Sequence, residues 1–402
     1  MKLSIYWIMA LAAGLVVANN YYNQPLLVDF AQTFRTAEHE AGAVSVAAQA
    51  GYALGLLLFI PLGDKVERRK LFTFTLSAAV VALVAMAAAP TLPWLVAASF
   101  AASMASVAPQ LLTPYAAQLA GPQGRGRAVG IVMFGLLCGI LVSRTVSGTV
   151  AAHFGWRAVY VIAAVATAAI AVVLARVLPR VEPTFSGSYG ALMRSLLALL
   201  REEPVVRRTS SIAALQFAAF SAFWTTLAFH LHSLDARYGS ETAGLFGLAG
   251  VAGASASYAA GKLTDARDPS RVILAASIVF TASYGLLAWK GASIGGLVFG
   301  VILLDLGLQS AHVSNLARNL AVRSNAMSRA NTLYVTIRFA GGALGSTLGN
   351  YAWSVWRWPG VCGVGLVFAC ASIALQIDPV SGRRQPAPAR KQSADSEVES
   401  VK

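Results

Sequence analysis

The chain has 402 residues, of which 57% are hydrophobic and only 12% charged. Soluble globular proteins carry about 25% charged residues, so one large soluble domain is excluded and a chain that crosses a membrane many times is expected. The net charge of +14 does not point to nucleic acid, because the basic residues sit in short segments between apolar runs and form no single patch.

Twelve stretches of spanning length follow one another, at about 4–27, 42–62, 71–90, 94–118, 128–152, 158–176, 209–232, 243–261, 272–289, 294–316, 330–352 and 359–377. The first is too long in its apolar part for a signal peptide and no small-residue cleavage pattern closes it, so it is read as a span. With the N-terminus inside, the inner segments hold 24 Lys and Arg and the outer ones five: Arg35, Arg157, Arg237, Lys290 and Arg357. This bias places both termini in the cytoplasm and the protein in the cell (inner) membrane. Cys138, Cys362 and Cys370 all lie within apolar stretches, so packing is their expected role, and neither a disulfide nor a metal site is expected.

The chain divides near its middle. Residues 1–178 and 209–377 each hold six stretches. The linker 179–208 carries Leu192, Leu196, Leu199 and Leu200 on one helical face, which predicts a short interfacial helix. Residues 378–402 read as a disordered cytoplasmic tail. The two halves echo each other. "PLGDKVERRKL" (61–71) follows the second stretch and "GKLTDARDPSRV" (261–272) the eighth; "HFGWRAVY" (153–160) follows the fifth and "VWRWPGV" (355–361) the eleventh. Repeats at matching places of two six-span halves are the sign of a duplicated transporter core.

On these residues the chain resembles the major facilitator superfamily. The family's loop signature, roughly Gly-x-x-x-Asp-Arg/Lys-x-Gly-x-Arg/Lys-Arg/Lys, is matched by Asp64, Lys65, Arg69 and Lys70, while Ile60 and Glu67 stand where it has glycine. In the second half Gly261, Asp265 and Arg271 match. "YYNQPLL" and "SRTVSG" resemble a bacterial branch of predicted drug- and sugar-efflux proteins. The resemblance implies an all-α membrane protein of twelve helices in two pseudo-symmetric six-helix bundles. It also implies a central cavity lined by the first, fourth, seventh and tenth helices and flanked by the second, fifth, eighth and eleventh. From the residues themselves, Asp64 beside Arg68, Arg69 and Lys70, and Asp265 beside Arg271, form clusters that can pair with a neighbouring helix end in one conformation and part in another. The alternative is a plain topology anchor, to which an acid adds nothing.

The ionisable residues inside the stretches are Arg144 in the fifth, His230 in the seventh, Asp305 and His312 in the tenth, and Arg338 in the eleventh. All fall on helices that the resemblance assigns to the cavity, as a solvated pathway requires. Asp305 lies about 17 Å into its helix, near the midplane, and must be protonated, paired or wet. Two readings stand: Asp305 alternates between a proton and Arg338, or the two hold a permanent pair. His312 is a second proton candidate, with a structural hydrogen bond as its alternative. Arg144 is read as substrate-binding or as snorkelling outward. Gln309 shares the face of Asp305. Gln216, Phe220 and Trp224 in the seventh helix suit an amphiphilic ligand or plain packing. In "ANNYYNQP" (18–25), Asn19, Tyr22 and Asn23 share a face that can meet substrate, Asn20 and Gln24 share one that can bond neighbouring helices, and Tyr21 reads as an interfacial belt residue. Pro109 and Pro114 predict kinks, and Gly130, Gly135 and Gly139 close helix approach.

The sequence thus predicts a secondary transporter, acting as a monomer in the lipid bilayer, that moves a small organic molecule by alternating access with protons as the coupling ion and efflux of drugs or metabolites as the task. Uptake of an organic anion or sugar-like solute is the alternative, and a membrane-embedded sensor or enzyme a remote one. No nucleotide-binding loop, HExxH, GxSxG or paired midplane carboxylates occur, so no cofactor and no ATP-driven step are expected.

Overall fold

The computed structural model describes residues 4–180, 187–255, 269–321 and 326–377. Asp265, the side chain of Asp64 and the tail from 378 lie outside the described residues. In lipid a lone apolar segment can satisfy its backbone only as a helix, and every regular element described is helical. The elements are α1 (Ser4–Ala18), a 3-10 turn (Gln24–Leu26), α2 (Leu27–Phe34), α3 (Glu38–Lys65), α4 (Arg68–Ala87), α5 (Leu92–Ala105), α6 (Ala108–Phe154), α7 (Trp156–Val177), α8 (Tyr189–Glu202), α9 (Pro204–Leu234), α10 (Ser240–Ser255), α11 (Pro269–Lys290), α12 (Ile294–Leu320) and α13 (Met327–Ile377). Nine helical stretches among the described residues are long and apolar enough to cross a membrane. The shorter α1 and the described part of α10 stand at the first and eighth predicted spans.

Several boundaries differ from the sequence reading. The first span is not one helix to residue 27: α1 ends at Ala18, and residues 19–26 run through tight turns. The fourth span is broken between Ala105 and Ala108, where Ser103 and Val107 carbonyls take i+3 amide bonds, and Pro109 opens the helix that follows, where its missing N–H costs nothing. The fourth and fifth spans are joined without a loop at Gly121, whose φ is 66°.

Each half is held by a seam of small residues. In the first, α1 lies so close to α6 that a Cβ added at Gly135 would collide with the Ala10 carbonyl, and one at Gly139 with Gly14. In the second, Gly341, Gly345 and Gly349 of α13 meet Ala214, Ala218 and Ala222 of α9 in the same way. Small residues four apart on facing helices let backbones touch, which is how helices associate where no hydrophobic effect drives them. The sequence reading holds for Gly135 and Gly139; a Cβ at Gly130 would meet open space.

The halves meet mainly at the end opposite the linker, here the far side. Thr145 Oγ1 donates to the Gly244 carbonyl at 3.0 Å. Glu38 Oε2 accepts from Trp353 Nε1 and from Arg357 Nη1, both at 2.8 Å. Arg357 is 65% exposed and Glu38 32%, so the ion pair contributes about 0–1 kcal/mol. Nearer the middle, Tyr52 and Phe339 pack edge to face, 4.5 Å apart. On the linker side the predicted amphipathic helix exists as α8; Leu196 and Leu199 bury against Ala330 and Leu333 of α13, with Leu57 of α3 alongside.

Two matching corners repeat the "FGWR" and "WRWP" echo. The chain turns at Gly155 (φ 80°) and at Arg357 (φ 54°), and each corner is followed by a buried tryptophan, Trp156 or Trp358. Glycine takes this conformation freely, whereas an L-residue with a side chain pays about 1–2 kcal/mol for it.

Candidate functional site

The unwound stretch after α1 builds one wall of the site. Asn19, Asn20 and Tyr21 amides bond carbonyls three residues back, which leaves the amide side chains to tie the turns. Asn20 Nδ2 donates to the Val17 carbonyl and Asn23 Nδ2 to the Asn20 carbonyl. Asn23 Oδ1 accepts from Ser45 of α3 at 2.5 Å. Asn19 turns toward other helices, with Nδ2 3.2 Å from Ser106 Oγ and 3.5 Å from Thr167 Oγ1. Tyr22 is buried with no polar partner among the described residues. The two faces drawn from the sequence therefore do not survive the break in the helix.

Gln24 reaches Arg144. Its Oε1 accepts from Arg144 Nε at 2.6 Å. The guanidinium lies over Trp224, 3.9 Å from the ring centre, with Tyr21 at 5.0 Å and Phe220 at 5.9 Å. Arg144 is 2% exposed, so it does not snorkel to an interface. Cation–π contacts of a desolvated arginine contribute about 2 kcal/mol or more. Tyr21, at 3% exposure, is a wall of this chamber and not a belt residue. Gln24, Arg144, Trp224 and Ala243 close together around this point and leave no room for a water molecule in this conformation.

Asp305 in α12 is 3% exposed and its Oδ2 has no hydrogen-bond partner. It forms no ion pair with Arg338 in this conformation. Arg338 Nη1 instead donates to His312 Nε2 at 3.1 Å, and its guanidinium covers the Phe217 ring at 4.5 Å. Arginine has only donors, so Nε2 accepts, the His312 proton sits on Nδ1, and Nδ1 donates to Tyr334 Oη at 2.9 Å. His312 is a neutral link here. Gln309 is half-buried and makes no side-chain hydrogen bond among the described residues. Gln216 points away from the chamber, donating to Ser277 Oγ of α11 at 2.8 Å. His230 is buried; Nε2 donates to the Gly291 carbonyl and the ring stacks on Trp358 at 3.8 Å.

In the loop after α3, Arg68 Nε donates to the Gly63 carbonyl at 3.1 Å. The described ion pairs there run through Glu67, with Lys70 at 3.8 Å and Arg180 at 4.0 Å. Glu67 had counted only as a departure from the signature. Arg69 is half-buried and Arg271 exposed. The bonds from Glu38 to Trp353 and Arg357 were also missed, and no local signal marks partners more than 300 residues apart.

A bundle of spanning helices whose buried charges gather between two matching halves defines a membrane transporter. The Major Facilitator Superfamily model matches residues 9–346, and the chain belongs to that family. It is 36% identical over 367 residues to the uncharacterized transporter YgaY of Escherichia coli, spanning 91% of this chain and 93% of YgaY. It is equally identical to the "Probable transporter SCO4007" of Streptomyces coelicolor, over 89% of this chain and 83% of the relative. Among solved structures, that of the nucleoside transporter NupG superimposes with a TM-score of 0.75 at 14% identity, covering 93% of this chain and all of NupG; the likeness is one of fold.

Proposed function

We propose that this transporter works by alternating access as a proton-coupled exporter of a small organic molecule, with both termini in the cytoplasm and Asp305 as the proton site. The observation that carries the reading is the carboxyl of Asp305, buried on the tenth span with Oδ2 unpartnered. A bare carboxylate there costs several kcal/mol, so a proton or a cation must answer it. The seams of small residues within each half suit two bodies that rock against each other. Phe217, Phe220 and Trp224, stacked along α9, give an apolar surface for an organic body.

Uptake of an organic anion is the second reading. It is favoured by Arg144 and Arg338, neither of which has a carboxylate partner among the described residues. An uncoupler separates the two: added to overproducing cells, it raises accumulation of the transported compound for an exporter and lowers it for a proton-driven importer. Transport by Asp305→Asn is expected to lose its dependence on the proton gradient. An unchanged pH profile in that variant sinks the proton assignment.

A further inference from the structure

Arg144 and Asp305 carry opposite charges on opposite halves, α6 and α12. Neither takes part in an ion pair among the described residues, although each is the other's charged neighbour in the field sense. Both are more than nine-tenths buried. Each keeps one atom without a hydrogen-bond partner, Nη2 on Arg144 and Oδ2 on Asp305. The arginine's other face is already committed, because Nε is held by Gln24 and the plane lies on Trp224.

α10 runs beneath both groups. A Cβ added at Gly247 would lie 3.1 Å from Arg144 Cβ, and one at Gly250 would lie 3.0 Å from Asp305 Oδ2. These glycines are three residues apart, about 4.5 Å along the helix axis. The arginine stem and the carboxylate therefore sit one turn apart over a helix face that is bare at both positions.

We infer that this chamber is a binding site for a small zwitterion, a molecule of amino-acid size whose anionic group takes the free Nη2 edge of Arg144 and whose cationic group takes Asp305. A simple anion would answer the arginine and leave the carboxyl to a proton. A simple cation would answer Asp305 and leave the guanidinium uncompensated. A molecule with both charges completes both atoms at once, and an uncompensated buried charge is strongly unfavourable. In this conformation the chamber is closed, so the ligand enters when the halves part, and Trp224 and Phe220 offer its body an aromatic wall. The inference deepens the transport reading, on which it rests for its purpose: a cationic group and a proton compete for one carboxyl, which couples them in exchange.

The test is equilibrium binding to the full-length protein in nanodiscs, with no gradient present. The probes are the proteinogenic amino acids, the matching acids without the amino group and the matching amines without the carboxylate. At least one amino acid is expected to bind at least tenfold more tightly than both of its one-charge analogues. Asp305→Asn, nearly isosteric, abolishes the preference over the acid; Arg144→Gln abolishes the preference over the amine. Gly250→Ala, which leaves both charges in place but crowds Oδ2, weakens amino-acid binding at least threefold. Equal binding of an acid or amine by the unaltered protein overturns the inference, and so does saturation by no amino acid up to about 10 mM, beyond the millimolar range of weak specific sites. So does a preference that persists in well-folded Asp305→Asn. Because no proton gradient enters the measurement, loss of the binding preference and loss of proton coupling fail separately.

Discussion

The buried Arg144 and the half-buried Arg338 differ in what answers them. Arg338 is closed within its own half: a neutral imidazole accepts from it, and that imidazole is fixed in turn by Tyr334. Arg144 is held by an amide from the unwound stretch, lies on aromatic rings from α9 of the other half, and keeps a donor free. A charge satisfied inside one rigid body serves the architecture of that body. A charge whose contacts cross between bodies changes its surroundings whenever the bodies move.

Substitution can break that contrast. Lysine keeps the charge but loses the planar stack and the fork of donors, so Arg144→Lys should cost about 3 kcal/mol of substrate-dependent stabilisation from the lost cation–π and charge-assisted contacts. Transport should fall about 100-fold, against about tenfold for Arg338→Lys; equal losses in a flux assay would erase the distinction. Gln24→Leu removes the acceptor from Arg144 Nε and should cost about 1.5–3 kcal/mol. Gln24→Glu should instead raise the melting temperature while stopping transport, since an ion pair inside the chamber neutralises the free charge. A Gln24→Glu protein that still transports would show that Arg144 needs no freedom.

Smaller effects sharpen the other side. His312→Phe leaves Arg338 without its acceptor, at about 1–3 kcal/mol, and the melting temperature should drop measurably; His312→Gln, which can still accept, should stay within about 1 kcal/mol of the parent. The smallest effect is expected for Tyr334→Phe. It removes only the acceptor of His312 Nδ1–H, while Arg338 still holds the tautomer, at about 0.5–1.5 kcal/mol, with transport nearly intact. A Tyr334→Phe variant as damaged as His312→Phe would make the chain from Arg338 to Tyr334 one cooperative unit.

Much of the fold was legible because its causes are local. Apolar length and the leucine face of α8 each act within one segment. The repeat was legible as well, down to the corners at Gly155 and Arg357. The site was legible in part. Arg144, Asp305 and Arg338 stand out because any charge inside a span demands an answer, but Arg144 is answered from 120 positions away and Arg338 from 26. Gln24 bonds a neighbouring helix as expected, but which residue it meets was hidden by the assumption that the first span stays helical, which also gave Asn19 the wrong direction. The partner of Arg338 was hidden because Asp305, the obvious acid on the adjacent helix, outranks a histidine by charge alone; it is His312, about two turns further along α12, that reaches Arg338.

The corners at Gly155 and Arg357 also set how the protein can be observed. Each joins two spans through a single residue of positive φ, so neither carries a loop that could host a tag, a protease site or an epitope. On the far side the stretch from Asp235 to Gly239, between α9 and α10, is non-helical and held by local contacts, the Asp235–Arg237 pair and the Tyr238 amide on the Asp235 carbonyl among them. A reporter placed there would join the second half's seventh and eighth spans and follow movement of that half, whereas an insertion at either corner would separate a tryptophan from the packing that follows it.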